Sequence, residues 1–326
     1  IEVSVGGRKT LEIQLRENTV MLDNVIITAL GLEKKEASLA YSIQKVKGEE
    51  LTRMKEVNMI TALAGKAAGV QINKNSSGIG GSAKVSLRGI RSASGDNQPL
   101  YVIDGVPMLN IGTEQAYSAI GGTANAGNRD GGDGISNLNP EDVESISILK
   151  GAPAAALYGS QAANGVILIT TKKGNTAGQR NIYFSTGLTF DKAFSLPKMQ
   201  NCYGVSDVVD SWGEKAYLPT SNELNDFFRT GLTSITSVSV NYGNEKIQTY
   251  FSYANTTGRG IVDKNQLTKH NINLRETAVM FNQRLKLDGN VNVMRQIVKN
   301  KPVSGGFYMN PLVGLYRFPR GEDLSY

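Results

Sequence analysis

The stretch DVESISILKGAPAAALYGSQAANGVILITTKKG, residues 142–174, contains two strand patterns separated by a short helix pattern. The apolar–polar alternation at 146–148 predicts a half-buried strand. Pro153 suits the first turn of a helix and Gly159 suits its end, which predicts a short helix between the strands. The apolar run GVILITT at 165–171 predicts a fully buried strand. The order strand, helix, strand therefore predicts a mixed α+β unit around this stretch.

The residues before this stretch extend the same unit. Apolar residues recur at the spacing of one helix face over 51–63, and Gly69 is placed to end that helix. KVSLRGI and PLYVIDGVP are typical of short strands, and the second contains a turn signal at 104–105. We therefore assign residues 48–175 to one globular α+β domain.

Residues 180–326 change to an all-β pattern. Five segments of about ten residues alternate apolar and polar side chains, as Leu285 and Leu287 do with their charged neighbours. Alternating strands of this length, apolar on one face and strongly polar on the other, are typical of outer-membrane barrels. A β-sandwich with one apolar face per strand is the alternative, although sandwich strands are usually nearer roughly five or six residues.

The length of this all-β region limits any barrel that it forms. About five or six strands cannot enclose a domain of roughly 130 residues, because even an eight-stranded barrel is filled by its own side chains. Barrels of about 22 strands hold a plug of that size. Such barrels need more than roughly 200 residues before any loops. Either the barrel interpretation is wrong, or residues 180–326 are the first part of a longer barrel.

Composition argues against several other classes of protein. The 326 residues carry a formal net charge of +6, but the basic side chains are scattered, so nucleic-acid binding has little support. The single cysteine, Cys202, and the single histidine, His270, disfavour a zinc site and a Ser–His catalytic pair. No stretch has the length of a transmembrane helix, and no signal-peptide pattern opens the chain. We expect no enzyme and no cofactor, and the one metal site left open is calcium held by Asp130 and Asp133.

Near the start of the chain, the apolar run LDNVIITAL occupies residues 22–30 between two charged stretches. No turn signal offers this run a hairpin partner. A buried strand is the ordinary interpretation of such a run. The other interpretation is an unpaired strand that adds itself to the sheet edge of another protein through main-chain hydrogen bonds.

Several segments resemble one family. LDNVIITALG resembles the Ton box of TonB-dependent outer-membrane transporters, in the form found in the SusC/RagA family of Bacteroidota. Three further segments resemble that family's plug domain, in the same order: VSLRGIRS, PLYVIDGVP and GGDGISNLNPEDVESISILKGAPAAALYGSQAANGVILITTKKG. The resemblance covers residues 21–174 densely. It implies an α+β plug domain inside a transmembrane antiparallel β-barrel of about 22 strands, of which the first few are present here. By this resemblance, residues 1–20 end an N-terminal β-sandwich extension, 21–47 are the Ton box and linker, 48–175 are the plug, and 180–326 begin the barrel.

The resemblance also implies a function. A protein of this family imports a nutrient, here an oligosaccharide or a peptide, across the bacterial outer membrane with energy delivered through TonB. The implied partners are the C-terminal domain of TonB, a SusD-like lipoprotein lid, the outer-membrane lipids and a second transporter–lid pair in a dimer. The alternative is a secreted or surface-anchored ligand-binding protein with a β-sandwich tail, which needs neither TonB nor a membrane.

Three sets of residues follow from the resemblance, and none of them is catalytic. The TonB-binding set is the Ton box: Leu22, Asp23, Asn24, Val25, Ile26, Ile27, Thr28, Ala29 and Leu30. The charged residues expected to form ionic contacts between plug and barrel are Arg88, Arg91, Glu141 and Glu144, with simple solvation as the alternative for each. The residues expected to face the substrate from plug loops are Tyr101, Asp104, Asp130 and Asp133.

Overall fold

The computed structural model describes residues 25–27, 33–35, 43–75, 77–92, 97–108, 130, 132–206, 211–215, 223–282, 284–302 and 310–319. The predicted β-sandwich end at residues 1–20 lies outside the described residues. So do the Ton-box residues 22–24 and 28–30.

The described residues form a series of strands and short helices in chain order. The strands are β1 (Val25–Ile27), β2 (Glu33–Lys35), β3 (Ile43–Lys47), β4 (Val70–Lys74), β5 (Ala83–Leu87), β6 (Leu100–Ile103), β7 (Val106–Met108), β8 (Val143–Leu149), β9 (Val166–Thr171), β10 (Asn181–Asp191), β11 (Gly231–Gly243), β12 (Ile247–Arg259), β13 (Gln266–Met280) and β14 (Leu285–Lys299). The α-helices are α1 (Gly48–Thr52), α2 (Ala152–Tyr158), α3 (Glu223–Phe227) and α4 (Pro311–Arg317).

A mixed sheet with the strand order β3-β8-β9-β6-β7 forms the centre of the α/β unit, which we define as the described residues from 43 to 175. Strands β6 and β9 pair in parallel and the other neighbours pair antiparallel. Ile43–Lys47, which the sequence analysis placed in the linker, is therefore an edge strand of this sheet. The predicted strand, helix, strand order is confirmed in β8, α2 and β9, and all of β9 is buried as predicted.

Apolar clusters cover both faces of this sheet. Ile146 and Ile148 pack into one cluster with Leu51 and Ile60, whereas Leu168 and Ala154 of α2 belong to a second cluster. Because neither face is open to water, Ser147 between the two isoleucines is also buried. The predicted half-buried strand is therefore wrong, since β8 is buried along nearly its whole length.

The single long helix predicted from residue 51 onward is also wrong. Helix α1 ends at Thr52, and a separate turn of 3-10 helix covers Thr61–Leu63. Asn58 starts this second turn, because its side-chain Oδ1 accepts a hydrogen bond from the N–H of Ile60 at 2.9 Å. The apolar spacing was real, but two short helical segments place Leu51, Ile60 and Leu63 in one core, while Met54 at the same spacing is exposed. Within the described part of the chain, no helix has the length and apolarity needed to cross a membrane.

The apolar segment near the start of the chain does have a hairpin partner. Strands β1 and β2 pair antiparallel, with Ile26 opposite Lys34. The expectation that this segment lacks a partner is therefore wrong. The pairing spans only three residue pairs, and an isolated two-stranded ribbon of that size is at best marginally stable in water.

The second large sheet, which we call the wall sheet, contains β10 to β14 in sequence order with every neighbouring pair antiparallel. Its strands have 11 to 15 residues, so they are longer than the predicted ten. Such an up-and-down sheet of long strands is the arrangement expected for the beginning of a barrel wall.

The two faces of the wall sheet are inverted relative to a soluble β-sandwich. The face toward the α/β unit is polar, and its buried side chains include Thr233, Ser237, Ser252, Thr256, Lys269, Asn271, Asn273, Arg275 and Thr277. The opposite face exposes apolar pairs, such as Ile272 beside Val293 and Leu274 beside Val291. A sandwich would bury its apolar face, so this arrangement favours a barrel wall that is apolar outside and polar inside.

Candidate plug–barrel interface

The strongest contact between the α/β unit and the wall sheet is made by Arg275. Its guanidinium is 5% exposed and projects from the polar face of β13. Nη1 donates to Asp104 Oδ2 of the α/β unit at 2.9 Å, while Nε and Nη2 donate to the two carboxylate oxygens of Asp288 on β14 at 2.9 and 2.8 Å. Nη1 also donates to the main-chain oxygen of Thr171. We call these four residues the Arg275 cluster.

The turn between β6 and β7 places Asp104 in this cluster. Asp104 and Gly105 both have positive φ angles, 48° and 88°, which is the backbone of a tight two-residue hairpin and confirms the predicted turn. The Asp104 carboxylate also accepts hydrogen bonds from the N–H and the hydroxyl of Thr171, at 3.0 and 2.6 Å. Asp104 is therefore fixed at the end of the parallel pair β6 and β9 before it meets the arginine.

A cavity of about 270 Å³ borders the Arg275 cluster. Its lining combines apolar residues of the central sheet, such as Leu168, with the ammonium groups of Lys173 and Lys286. Lys173 Nζ lies 3.9 Å from Asp288. One side of the cluster therefore meets open space rather than packed side chains.

A second contact centres on Asp142, which precedes β8. Asp142 is completely buried, and its Oδ1 accepts hydrogen bonds from the hydroxyl groups of Tyr250 at 3.0 Å and Ser252 at 2.5 Å. Both hydroxyl groups belong to β12 of the wall sheet. A carboxylate of the α/β unit thus enters the polar face of the wall.

Further contacts join wall side chains to main-chain groups of the α/β unit. Lys269 Nζ donates to the Ser136 oxygen at 2.6 Å, and Asn271 donates to the Asn137 oxygen at 2.7 Å. Just before β13, Asn265 Oδ1 accepts the N–H of Ile79 at 3.1 Å. Because the α/β unit contributes main-chain groups to these contacts, they hold it against the wall sheet without requiring a particular side chain on the α/β unit.

The comparisons with known proteins agree with this architecture. The family model described as TonB-dependent Receptor Plug Domain matches residues 35–166. TonB-dependent receptor SusC of Bacteroides thetaiotaomicron is 32% identical over 295 residues, which are 87% of this chain and 27% of that protein. The structure of the RagAB peptide importer in its closed-closed state matches with a TM-score of 0.63 at 21% identity, over 81% of this chain and 32% of that chain. The chain belongs to the SusC/RagA-like TonB-dependent receptors.

TonB-dependent receptor P39 of Formosa agariphila is a further relative, 31% identical over 221 residues, which are 68% of this chain and 18% of that protein. The chain spans about a quarter of the length of the SusC relative. In this family the α/β unit is the plug, and the wall sheet is part of the barrel.

Three of the predicted substrate-facing residues are buried or contact other protein groups. Tyr101 is completely buried in the core, and Asp104 is bound by Arg275. Asp133 accepts hydrogen bonds from the N–H groups of Ala83 and Ser136, at 2.9 Å each. The substrate-facing role of these three residues stays a prediction.

Asp130 is the fourth predicted substrate-facing residue, and it also contacts protein groups. Its carboxylate accepts the N–H of Ser82 at 2.7 Å and that of Gly132 at 2.8 Å, and Lys301 after β14 lies 3.5 Å away. Burial raises the pKa of Asp130, but these hydrogen bonds and the lysine charge together lower it below the ordinary value. In the described part of the chain no group of three or more metal-binding side chains occurs, and the calcium site stays a prediction.

The four predicted ionic residues have other surroundings. Glu141 pairs with Lys55 of the plug itself, and the methylene groups of Lys55 lie over Gly187 of the wall. Arg91 donates to the main-chain oxygen of Ala163 at 3.2 Å. Arg88 and Glu144 are exposed, and their ionic contacts with the barrel stay predictions.

The sequence analysis missed the ionic residues that join plug and wall. Arg275 and Lys269 sit at polar positions of an alternating strand, where a charged residue is usually solvated. Alternation along the strand could have predicted this contact, because side chains between the lipid-facing apolar residues must point to the inside of the barrel.

Proposed function

We propose that this chain is part of an importer that takes a nutrient across the bacterial outer membrane, with the plug as its gate and with energy delivered through TonB. The observation that carries the proposal is the polar interface between plug and wall, centred on Arg275. Water can replace hydrogen bonds and ion pairs when two surfaces separate, whereas it cannot replace apolar packing. A plug held by polar contacts can therefore leave the wall and still keep its own apolar core closed.

The inverted faces of the wall sheet support an outer-membrane location. Exposed pairs such as Ile272 with Val293 suit contact with lipid, and the polar face suits the lumen. The same observation disfavours the alternative of a secreted ligand-binding protein with a β-sandwich tail, because a sandwich buries its apolar face.

We propose that TonB binds the Ton box through β1. An antiparallel hairpin pairs each strand along one edge only, so β1 retains a second edge for a strand of the TonB C-terminal domain. A SusD-like lipoprotein lid and a dimer of transporter–lid pairs complete the proposed assembly. The nutrient classes are an oligosaccharide or a peptide, and the RagAB protein that shares this fold is named a peptide importer.

Calorimetry with a peptide of residues 21–32 and the TonB C-terminal domain tests strand capture. We expect the native peptide to bind, and a peptide with Val25, Ile26 and Ile27 replaced by proline to lose binding, because proline cannot donate ladder hydrogen bonds. An alanine version of the same three positions keeps the N–H groups and is the matched control. Absence of binding by the native peptide would contradict capture by β1.

Uptake by cells tests the whole proposal. Residues 22–30 are deleted from the chromosomal gene that encodes the chain, and growth is measured on oligosaccharides and on peptides as sole nutrients. We expect growth on one nutrient class to be lost while the protein stays in the outer membrane. Unchanged growth on every nutrient that requires the intact gene would refute import driven by TonB.

A further inference from the structure

Asp142 differs from the other acidic residues at the plug–wall interface. Asp104 and Asp288 are paired with Arg275, and Asp130 is paired with Lys301. In the part of the chain that the structure describes, Asp142 has hydroxyl donors on Oδ1, no ion pair, and no hydrogen-bond partner on Oδ2. It is a completely buried carboxyl group with half of its acceptor capacity unused.

Two lysines act on Asp142 through their charge, but neither forms an ion pair with it in the part of the chain that the structure describes. On the wall, Lys269 acts on it electrostatically but donates its own hydrogen bond to Ser136. On the plug, Lys172 also acts electrostatically, and its N–H donates to the main-chain oxygen of Asp142 at 2.8 Å. The remaining neighbours that act on the carboxyl are the hydroxyl groups of β12 and the amide of Asn139.

Burial is the dominant influence on this carboxyl group. It raises the pKa of Asp142, and the hydrogen bonds from Ser252 and Tyr250, the charge of Lys172 and the amide of Asn139 oppose that rise without cancelling it. A buried carboxylate without a cation loses its hydration and gains no ion pair in return. A neutral carboxyl avoids this loss, and the Ser252 hydroxyl serves either state because it can donate or accept.

We call the plug seated when it contacts the wall sheet as described above, and released when it has left the wall. We propose that Asp142 is a neutral carboxylic acid while the plug is seated and that it gives one proton to water when the plug is released. The O–H bond of the carboxyl breaks, its electron pair stays on the carboxylate, and the proton passes to solvent. Asp142 is thus a positioning residue for the transport step, acting through the contact between plug and β12. This inference rests on the proposed gating role of the plug.

The direction of the pH effect follows from proton linkage. In the released state Asp142 has the ordinary pKa of an aspartate, about 3.9, and in the seated state its pKa is higher. At pH values between these two pKa values, the seated state binds the proton and the released state does not. Seating is therefore most favourable at low pH and weakens as pH rises through that window. With one proton involved, the seating equilibrium changes by at most about tenfold per pH unit.

The test measures how long the plug stays seated in the full-length protein, in outer-membrane lipid, under a constant force applied at the Ton box. Wild type is compared with Asp142→Asn between about pH 4 and pH 8, a range that starts at the ordinary aspartate pKa. Because asparagine imitates the neutral acid, we expect Asp142→Asn to stay seated at least as long as wild type, with a ratio that grows as pH rises. A ratio that is constant with pH, or shorter seating of the variant at every pH, would overturn the proposal.

Two further measurements keep the test decisive. Asp104→Asn, in the Arg275 cluster, is the matched control, and we expect it to shorten seating but to retain the pH slope that Asp142 causes. Ser252→Ala removes a donor that favours the ionised form, so we expect the slope to extend to higher pH. If Asp142→Asn does not fold, absence of that shift in Ser252→Ala overturns the proposal. The pulling assay does not require import. Failure of the import proposal would therefore appear in the growth assay, whereas failure of the Asp142 proposal would appear in the pH dependence of the pulling assay.

Discussion

Asparagine at position 104 should weaken the hold of the wall on the plug without disturbing the plug itself. The Asp104→Asn change keeps the shape of the side chain, and asparagine tolerates the positive φ angle of this turn. The N–H of Thr171 retains an acceptor. What is lost is the charge that faces the guanidinium of Arg275 at 2.9 Å.

The magnitude follows from the surroundings of the pair. Two unit charges about 4 Å apart interact by about 4 kcal/mol at an effective dielectric constant near 20, which suits a pair at the edge of a protein interior. The side chains of Arg275 and Asp104 are 5% and 19% exposed, so solvent screening is slight. The amide nitrogen that replaces the other carboxylate oxygen cannot accept from Arg275, but water from the bordering cavity can hydrate the guanidinium there, which returns about 1 kcal/mol. We expect a net loss of about 2 to 3 kcal/mol, or roughly 30- to 150-fold in the seating equilibrium.

A double-mutant cycle isolates this pair. The plug is pulled from the wall of the full-length protein in wild type, Asp104→Asn, Arg275→Met and the double variant. Asp263→Asn is the control, because its bond to Arg229 involves no plug residue and exists whether the plug is seated or not. If Asp104→Asn shortens seating equally in the presence and absence of Arg275, the coupling is zero and the reasoning is refuted.

Three other outcomes are expected. Val293→Arg places a charge on the exposed apolar face and should destabilise the folded protein by about 2 to 4 kcal/mol near the membrane midplane. The amount of heat-modifiable folded protein in the outer membrane should therefore fall, whereas Asn292→Gln, on the other face of β14, should leave that amount unchanged. Gly174→Ala places a Cβ 2.3 Å from the main-chain nitrogen of Thr249 and should reduce folded protein in the same assay, whereas Gly289→Ala meets no atom within 4 Å and should be neutral. Burial raises the pKa of Asp130 and hydrogen bonds from Ser82 and Gly132 lower it, but these groups belong to the plug; the charge of Lys301 lowers the pKa further only while the plug is seated. Asp130→Asn should therefore shorten plug seating at neutral pH but not well below pH 3.8, where acid protonates the group and removes the ion pair; an effect that persists in acid would contradict the ionic role.

The sequence predicted elements whose signals are local. Strand β9 and helix α2 depend on an uninterrupted apolar run and on Pro153 and Gly159, and the structure has them where the pattern indicated. The long helix from residue 51 failed because helical spacing does not reveal a break, and the side chain of Asn58 started a new turn inside the pattern. The buried Ser147 was misjudged because alternation alone does not show that a second layer covers the polar face.

The candidate site was predictable only in part, for a physical reason. Asp104 was selected from its turn, but its partner Arg275 lies 171 residues further along the chain, and the register of the wall strands decides which charge it meets. A one-residue change in that register would direct Arg275 toward lipid. The sequence analysis expected ionic contacts with the barrel at four plug residues, and those contacts stay predictions. The ionic contacts that the structure describes use Arg275 and Lys301 instead, at positions that look merely polar in sequence.

The order of strands in the plug sheet determines how a pulling force passes through it. In the proposed import mechanism, a force from the Ton box enters at the start of β3. The chain leaves the plug toward the wall at the end of β9. Both strands pair antiparallel with β8, so they run in the same direction and the two loads act along them in opposite senses. Hydrogen bonds between antiparallel strands are perpendicular to the strands, so such a load shears all of them at once instead of opening them one by one. We therefore expect the central sheet to stay intact under such a load. The polar contacts between the plug and the wall sheet should break first.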